Sequence, residues 1–159
     1  IQAQSPGQRV DPELFYHAEL KKILLIDGQL PFLQKDTIYN IWTWNGQRWQ
    51  PIACKQAPPP RYASCAVYDR AHNAIISFSG RSGPDEKIIN DTWVWKGGQW
   101  AQHVDAHMPA RDHHTMCYDE STQETILFGG GRYPRTEGPW ATDTWVWKDE
   151  HWLQATTEG

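Results

Sequence analysis

The amino-acid sequence predicts an all-β chain made of three copies of one four-stranded antiparallel unit. The pattern Trp-x-Trp begins at Trp42, Trp93 and Trp145, so it recurs after 51 and then 52 residues. Short apolar runs alternate with turns that carry Gly or Asp, and no stretch has the length and period of a long helix. A repeat of roughly 50 residues indicates that each copy is one structural unit.

Composition places the chain among single globular domains with a polar surface. Its 159 residues are 39% hydrophobic and 21% charged. Fifteen Lys and Arg against nineteen Asp and Glu give a net charge of -4, which removes the electrostatic basis for binding a phosphate backbone. We therefore expect no nucleic-acid partner. The longest apolar run covers only residues 23–26, so we also expect no helix that spans a membrane.

The first half of each unit is predicted to be a hairpin. A strand with β-branched and aromatic residues ends at Tyr68 in the second copy and at Tyr118 in the third, and an Asp-led turn follows each. The next strand is apolar and ends in a glycine, at Gly28, Gly80 and Gly130. Each glycine lies twelve residues after a tyrosine, which indicates that the hairpin has one length in all three copies.

The second half of each unit is predicted to be a tight hairpin built around tryptophans. Residues two apart in a strand share a face, so Trp93 and Trp95 project together. A Gly-bearing turn then reverses the chain into a last strand, which Trp100 opens five residues after Trp95. The same spacing places Trp49 and Trp152 in the other two copies.

An arginine precedes the first strand in two of the copies. Arg61 and Arg111 each stand seven residues before the tyrosine of a Tyr-Asp pair, which gives the pattern R-x6-Y-D. Near the same place the first copy has residues 11–13, Asp-Pro-Glu, so we expect no matching arginine there.

These motifs together resemble the Kelch repeat of galactose-oxidase-like β-propellers. They are R-x6-Y-D, an apolar strand ending in Gly-Gly, Asn/Asp-x-Trp, and a Trp five residues after the second Trp of each Trp-x-Trp pair. The sequence Asp-Thr-Trp-Val-Trp-Lys-x-x-x-Trp, at residues 91–100 and 143–152, is similar to Kelch units of bacterial, often exported, proteins. The resemblance implies a β-propeller segment of three four-stranded antiparallel blades at residues 9–54, 58–104 and 108–156. Residues 1–8 form an N-terminal segment and residues 157–159 a C-terminal tail.

The repeated tryptophans are interpreted as packing residues rather than ligand contacts. Nine of the ten recur at equivalent positions, and we expect them to be buried between units. Trp140 is the exception, because it lies in an insertion over residues 131–142 that has no counterpart. It is a candidate stacking platform for a ligand, or else a loop residue folded back on its own unit. The nine are Trp42, Trp44, Trp49, Trp93, Trp95, Trp100, Trp145, Trp147 and Trp152.

One rim of the molecule is the predicted binding face. In an antiparallel unit, the loop that enters the first strand and the loop between the second and third strands open on the same side. The resemblance implies that Kelch propellers bind peptides or sugars there. An alternative for Arg61 and Arg111 is structural, with their guanidiniums bonded to backbone carbonyls between units. The candidate contacts are Arg61, Arg111, Arg81, Arg132, Tyr133, Arg135 and Trp140, and Asp85 is placed on the same rim.

The sequence predicts neither a metal, nor a cofactor, nor a catalytic residue. His113 and His114 are adjacent, and adjacent strand residues point to opposite faces, so they would not share one ion. No match to the copper constellation of galactose oxidase can be traced, and no catalytic motif such as GxSxG or HExxH is present. Three cysteines allow one disulfide at most.

Function is predicted to be non-enzymatic: protein binding or scaffolding. Closed propellers use about 4 to 8 blades, so three blades leave two edges for something to cover. The chain is expected to be part of a longer propeller, to dimerise into a six-bladed ring, or to pack on another subunit. Alternatives are a lectin-like carbohydrate binder and a sugar-acting enzyme of the galactose oxidase or mutarotase type. The polar, Pro/Gly-bearing start is compatible with a secreted protein and leaves the compartment open.

Overall fold

The computed structural model describes residues 5–28, 41–83, 85–105, 107–132 and 140–156. Within these ranges the chain is folded into antiparallel β-sheets, and none of the described residues is helical. The expectation of an all-β chain is confirmed. In the described part of the chain, no helix is long and apolar enough to cross a membrane.

Sixteen strands are described, and twelve of them form three four-stranded sheets. The first sheet, unit 1, holds β1 (Glu13–His17), β2 (Lys22–Ile26), β3 (Ile41–Trp44) and β4 (Trp49–Ile52). Unit 2 holds β5 (Cys65–Asp69), β6 (Ala74–Phe78), the two-residue strands β7 (Arg81–Ser82) and β8 (Lys87–Ile88), β9 (Thr92–Lys96) and β10 (Gln99–His103). Unit 3 holds β11 (Arg111–Asp112), β12 (Thr115–Asp119), β13 (Glu124–Phe128), β14 (Gly131–Arg132), β15 (Thr144–Lys148) and β16 (His151–Gln154).

The order of strands is the same in the three large sheets. Unit 1 runs β1-β2-β3-β4, unit 2 runs β5-β6-β9-β10, and unit 3 runs β12-β13-β15-β16. β7 pairs with β8, and β11 pairs with β14, outside these sheets. Within each unit, consecutive long strands therefore pair with each other, as expected for repeated antiparallel units.

Strand register places the tryptophans at equivalent positions in each unit. The second Trp of every Trp-x-Trp pair lies opposite the Trp that opens the last strand, across the two-strand turn. Because this pairing recurs, the three sheets present the same aromatic surface. The pairs are Trp44 with Trp49, Trp95 with Trp100, and Trp147 with Trp152.

Each unit has two faces of different chemistry. The face that carries these tryptophans is called the Trp face, and the opposite face is called the aliphatic face. The aliphatic face of unit 1 packs on the Trp face of unit 2, where Leu24 and Ile26 join one core cluster with Trp95 and Trp100. The aliphatic face of unit 2 packs on unit 3 in the same way, and Phe78 lies 5.4 Å from Trp152 between ring centroids.

The first strand of each unit lies toward the other units. β5 is in contact with β1 on one side and with β12 on the other. Since these are the first strands of three sheets with one strand order, the sheets meet along their first strands and spread apart toward β4, β10 and β16.

The glycine that ends the second strand is required by close backbone approach. Gly130 has a φ of +92°, and a Cβ built on it would lie 2.6 Å from the carbonyl oxygen of Asp112. Gly80 has a φ of +97°, and its Cβ would lie 2.7 Å from the Cβ of Ser64. No larger residue fits there without movement of the neighbouring strand.

Candidate functional site

Arg61 is the centre of a buried bracket that closes unit 2. Its guanidinium makes a bidentate pair with Asp91, at 2.7 Å from Nη1 to Oδ1 and 3.1 Å from Nη2 to Oδ2. Nη1 also donates to the carbonyl of Ser79 at 3.0 Å. The indole of Trp93 donates to the Asp91 Oδ2 at 2.7 Å, so one carboxylate holds both the arginine and the Trp-x-Trp strand.

Unit 3 repeats this bracket with Arg111. The guanidinium pairs with Asp143 at 2.9 and 3.2 Å and donates to the carbonyl of Gly129 at 2.9 Å. Trp145 donates to the same carboxylate at 2.8 Å. Both Arg61 and Arg111 are fully buried, and the hydrogen bonds of their guanidinium groups stay within one unit. The structure thus places both in the structural role, with their bonding partners in their own unit.

Unit 1 also has its arginine, and the expectation that it lacks one is wrong. Arg9 donates to the carbonyl of Asp27 at 2.5 Å, as Arg61 does to Ser79, and to the carbonyl of Pro6 at 3.2 Å. Arg9 stands nineteen residues before Gly28, the same distance that separates Arg61 from Gly80. The spacing to the glycine identifies Arg9, whereas the Tyr-Asp pair that follows Arg61 and Arg111 is absent in unit 1, where His17 follows Tyr16.

The electrostatics of these brackets follow from burial and ion pairing. Burial alone would raise the pKa of Asp143, but the hydrogen bonds from Arg111 and Trp145 outweigh it and lower that pKa to about 2. Burial lowers the pKa of Arg9 to about 10 although Asp27 lies near it. Burial raises the pKa of the Asp27 carboxyl, which Arg61 and the hydroxyl of Ser77 only partly oppose.

The rim residues form ion pairs with their neighbours. Arg81 of unit 2 reaches across to the buried carboxylate of Asp112 in unit 3, at 2.5 Å from Nη2. Arg132 lies 2.7 Å from the Asp143 carboxylate and is half-buried. Asp85 is exposed on the turn between β7 and β8. These contacts tie the rim to the structural brackets and bring two of the predicted arginines close to carboxylates.

Among the remaining ligand candidates, Trp140 is 64% exposed to solvent. Tyr133 and Arg135 lie outside the described residues. The indole of Trp140 therefore offers an exposed flat surface.

The nine repeated tryptophans divide by unit. The six of units 2 and 3 are buried, as is Trp42, whereas Trp44 and Trp49 in unit 1 are only half-buried. The difference arises because the Trp faces of units 2 and 3 each receive the aliphatic face of the preceding unit. The buried six are Trp93, Trp95, Trp100, Trp145, Trp147 and Trp152.

The outward faces of the two end units expose apolar side chains. On the Trp face of unit 1, Leu14, Tyr16 and Ile23 are exposed. On the aliphatic face of unit 3, Phe128 and Leu153 are exposed by 51% and 53%. Soluble chains rarely present large contiguous apolar patches to solvent. We call these two surfaces the open Trp face and the open aliphatic face.

In the part of the chain that the structure describes, the titratable groups show no arrangement suited to a metal ion, and the cysteines are unpaired. Across the described ranges, no three His, Cys, Asp or Glu side chains are grouped to hold a metal. His114 is buried against Phe78, at 5.5 Å between ring centroids, and His113 points to solvent. Burial lowers the pKa of His114 to about 3 and keeps the ring neutral at neutral pH. Cys54, Cys65 and Cys117 are free thiols.

Comparisons with known proteins show the fold and leave the family open. No protein-family model matches the chain. Dynein regulatory complex subunit 7 of Chlamydomonas reinhardtii is 31% identical over 81 residues, which are 46% of this chain and 7% of that protein. The solved structure of YjhT matches with a TM-score of 0.70 and 10% identity, over 99% of this chain and 55% of that one. This chain thus spans about half the length of the structure whose fold it shares.

Proposed function

We propose that this chain is a three-blade segment of a Kelch-type β-propeller and acts as a non-enzymatic protein-interaction module. The observation that carries the proposal is the pair of open faces at its two ends. Exposed aromatic and aliphatic side chains on each of them offer apolar area to a protein partner.

The propeller arrangement is supported by strand order and by the position of the first strands. Three sheets with the same order meet along β1, β5 and β12, which is how blades surround an axis. The recurrence of the Arg brackets and of the opposed tryptophans supports blades of one kind. Likeness to a solved chain almost twice as long agrees with a segment of a larger ring.

Measurement of the particle mass tests the proposal. Size-exclusion chromatography with light scattering is expected to give a particle heavier than 18.4 kDa. The protein concentration is varied from about 1 to 100 μM, which is on the order of typical dimer affinities. Burial of the open faces in an assembly is the physical reason. A folded monomer that stays soluble across the whole range contradicts the proposal, because its open faces would then be stable in water without a protein cover.

A second candidate function, carbohydrate binding, is favoured by one observation. Trp140 is 64% exposed, and sugars stack on flat aromatic surfaces through their apolar faces. Glycan-array binding that Trp140→Ala abolishes, and that Val104→Ala at another exposed apolar residue leaves intact, supports this candidate. Binding that survives Trp140→Ala removes it.

A further inference from the structure

We infer that the partner of the open faces is a second copy of this chain, joined head to tail at both ends to close a six-unit ring. This inference rests on the proposed function and specifies its partner. The open aliphatic face of each copy contacts the open Trp face of the other. The two contacts are equivalent and are related by one twofold axis.

The argument begins from the contact that the chain already makes twice. Between units 2 and 3, Phe78 packs on Trp152, and the indole Nε1 of Trp152 donates to the hydroxyl of Thr92 at 2.9 Å. Leu24 and Ile26 of unit 1 meet Trp95 and Trp100 of unit 2 in the same orientation. Among the described residues, both core contacts between neighbouring units therefore join an aliphatic face to a Trp face.

The open aliphatic face and the open Trp face carry residues equivalent to the two sides of this contact. Phe128 occupies in unit 3 the place of Phe78 in unit 2, since both pair with a threonine that begins the Trp-x-Trp strand. Trp49 occupies in unit 1 the place of Trp152, opposite the second Trp of the pair. Phe128 is 51% exposed and Trp49 is half-buried, whereas their counterparts Phe78 and Trp152 are buried. Phe128 and Trp49 are therefore less covered than the residues that make the contact between units 2 and 3.

The equivalence predicts specific contacts across the new interface. Phe128 of one copy packs on Trp49 of the other, and the Trp49 Nε1 donates to the hydroxyl of Thr144. Both follow from the Phe78, Trp152 and Thr92 geometry by the repeat spacing. On the same face as Trp49, the aromatic surface continues to Trp44, whose ring centroid lies 5.4 Å from that of Trp49.

The number of copies follows from the number of units. Closed propellers contain about 4 to 8 blades. One chain supplies three units, two chains supply six, and three chains would supply nine, so two identical copies are the solution within that range. A ring closed by two heterologous contacts leaves no open face, whereas a dimer formed by one face on itself leaves the other two exposed.

Paired charge variants test the head-to-tail arrangement. Tyr16→Glu charges the open Trp face and Phe128→Lys charges the open aliphatic face, and both side chains are more than half exposed, so folding is expected to survive. Light scattering is expected to give twice 18.4 kDa for the unchanged chain and 18.4 kDa for either variant alone. Val104→Lys, at a 76% exposed position on neither face, is the matched control and is expected to stay dimeric.

A mixture of the two variants tests whether the open Trp face of one copy contacts the open aliphatic face of the other. In a mixed pair one contact has neither substitution and the other carries both, so the mixed pair keeps one intact contact that neither variant alone can form. A mixture that returns to twice 18.4 kDa therefore supports the ring. If only one of the two variants dissociates, the dimer is formed by like faces. If the particles grow larger than a dimer, the chain forms another assembly. Either result overturns the inference and leaves the proposed function standing. A monomeric unchanged chain overturns both.

Discussion

At the residue scale, the buried arginines are structural ions whose loss should be costly. Arg111→Met leaves the buried Asp143 carboxylate with Arg132 and Trp145 as its remaining polar partners among the described residues. Removal of one partner of a buried pair costs about 3 to 5 kcal/mol. We expect a decrease of about 3 kcal/mol in the free energy of unfolding, measured by urea titration. Arg70→Met, which breaks an exposed pair with Glu120, is the control and should change it by less than about 0.5 kcal/mol.

His114 should make the fold sensitive to acid. Its pKa is lowered from 6.5 to about 3 in the folded chain. Between these two pH values, His114 is therefore protonated in the unfolded chain and neutral in the folded chain. As far as His114 is concerned, the free energy of unfolding is highest above about pH 6.5 and falls as the pH drops toward 3. At about 1.4 kcal/mol per pH unit, about 2 kcal/mol is lost between about pH 6.5 and 4.5.

Urea titrations at about pH 7 and 4.5 measure this loss. His114→Leu is expected to reduce the difference between the two pH values, and His107→Leu, at an exposed histidine, is expected to preserve it. An unchanged pH dependence in His114→Leu would assign acid sensitivity to other groups. Asp143 adds loss only at lower pH, toward its pKa of about 2, and the raised pKa of Asp27 acts in the opposite direction.

At the element scale, the turn after the second strand is fixed by backbone contact. Gly97→Ala places a methyl group in open space at a φ of +59°, and should cost about 1 kcal/mol. Gly130→Ala adds a clash of 2.6 Å with the Asp112 carbonyl to the same conformational penalty, and should cost at least about twice as much. Equal unfolding midpoints for the two variants would show that the strand yields without strain.

The sequence predicted elements well where residues recur and poorly where they do not. The Trp-x-Trp strands and the glycine at the end of each second strand follow from spacing alone, since a strand with one large residue on alternate positions has one register. Arg9 was missed because Tyr16 is followed by His17 and not by the aspartate of the R-x6-Y-D pattern, although the carbonyl partner of Arg9 is equivalent to that of Arg61. The pairing of Arg81 with Asp112 could not be predicted, because it joins residues of different units through tertiary packing.

At the scale of the whole molecule, the same substitution should have different effects in different units. Trp100→Ala removes a buried indole between units 1 and 2 and should lower the free energy of unfolding by about 3 to 5 kcal/mol at every protein concentration. Trp49→Ala alters the open Trp face, so its effect should be small in dilute solution and grow with protein concentration. Thermal unfolding followed at 1 and 100 μM, on the order of dimer affinities, measures both. A concentration-independent effect of Trp49→Ala would contradict an interface at that face.

The Arg brackets have a consequence for how such a chain could arise and change in length. The bidentate pair of Arg61 with Asp91, and that of Arg111 with Asp143, is complete inside one unit. A genetic duplication or deletion of a whole unit therefore carries each buried cation together with its anion, and leaves no ion stranded in the interior. A crossover within a unit would separate them at a cost of several kcal/mol. Selection against stranded ions would keep the boundaries of inherited segments between units, and chains of this kind would lengthen in whole steps.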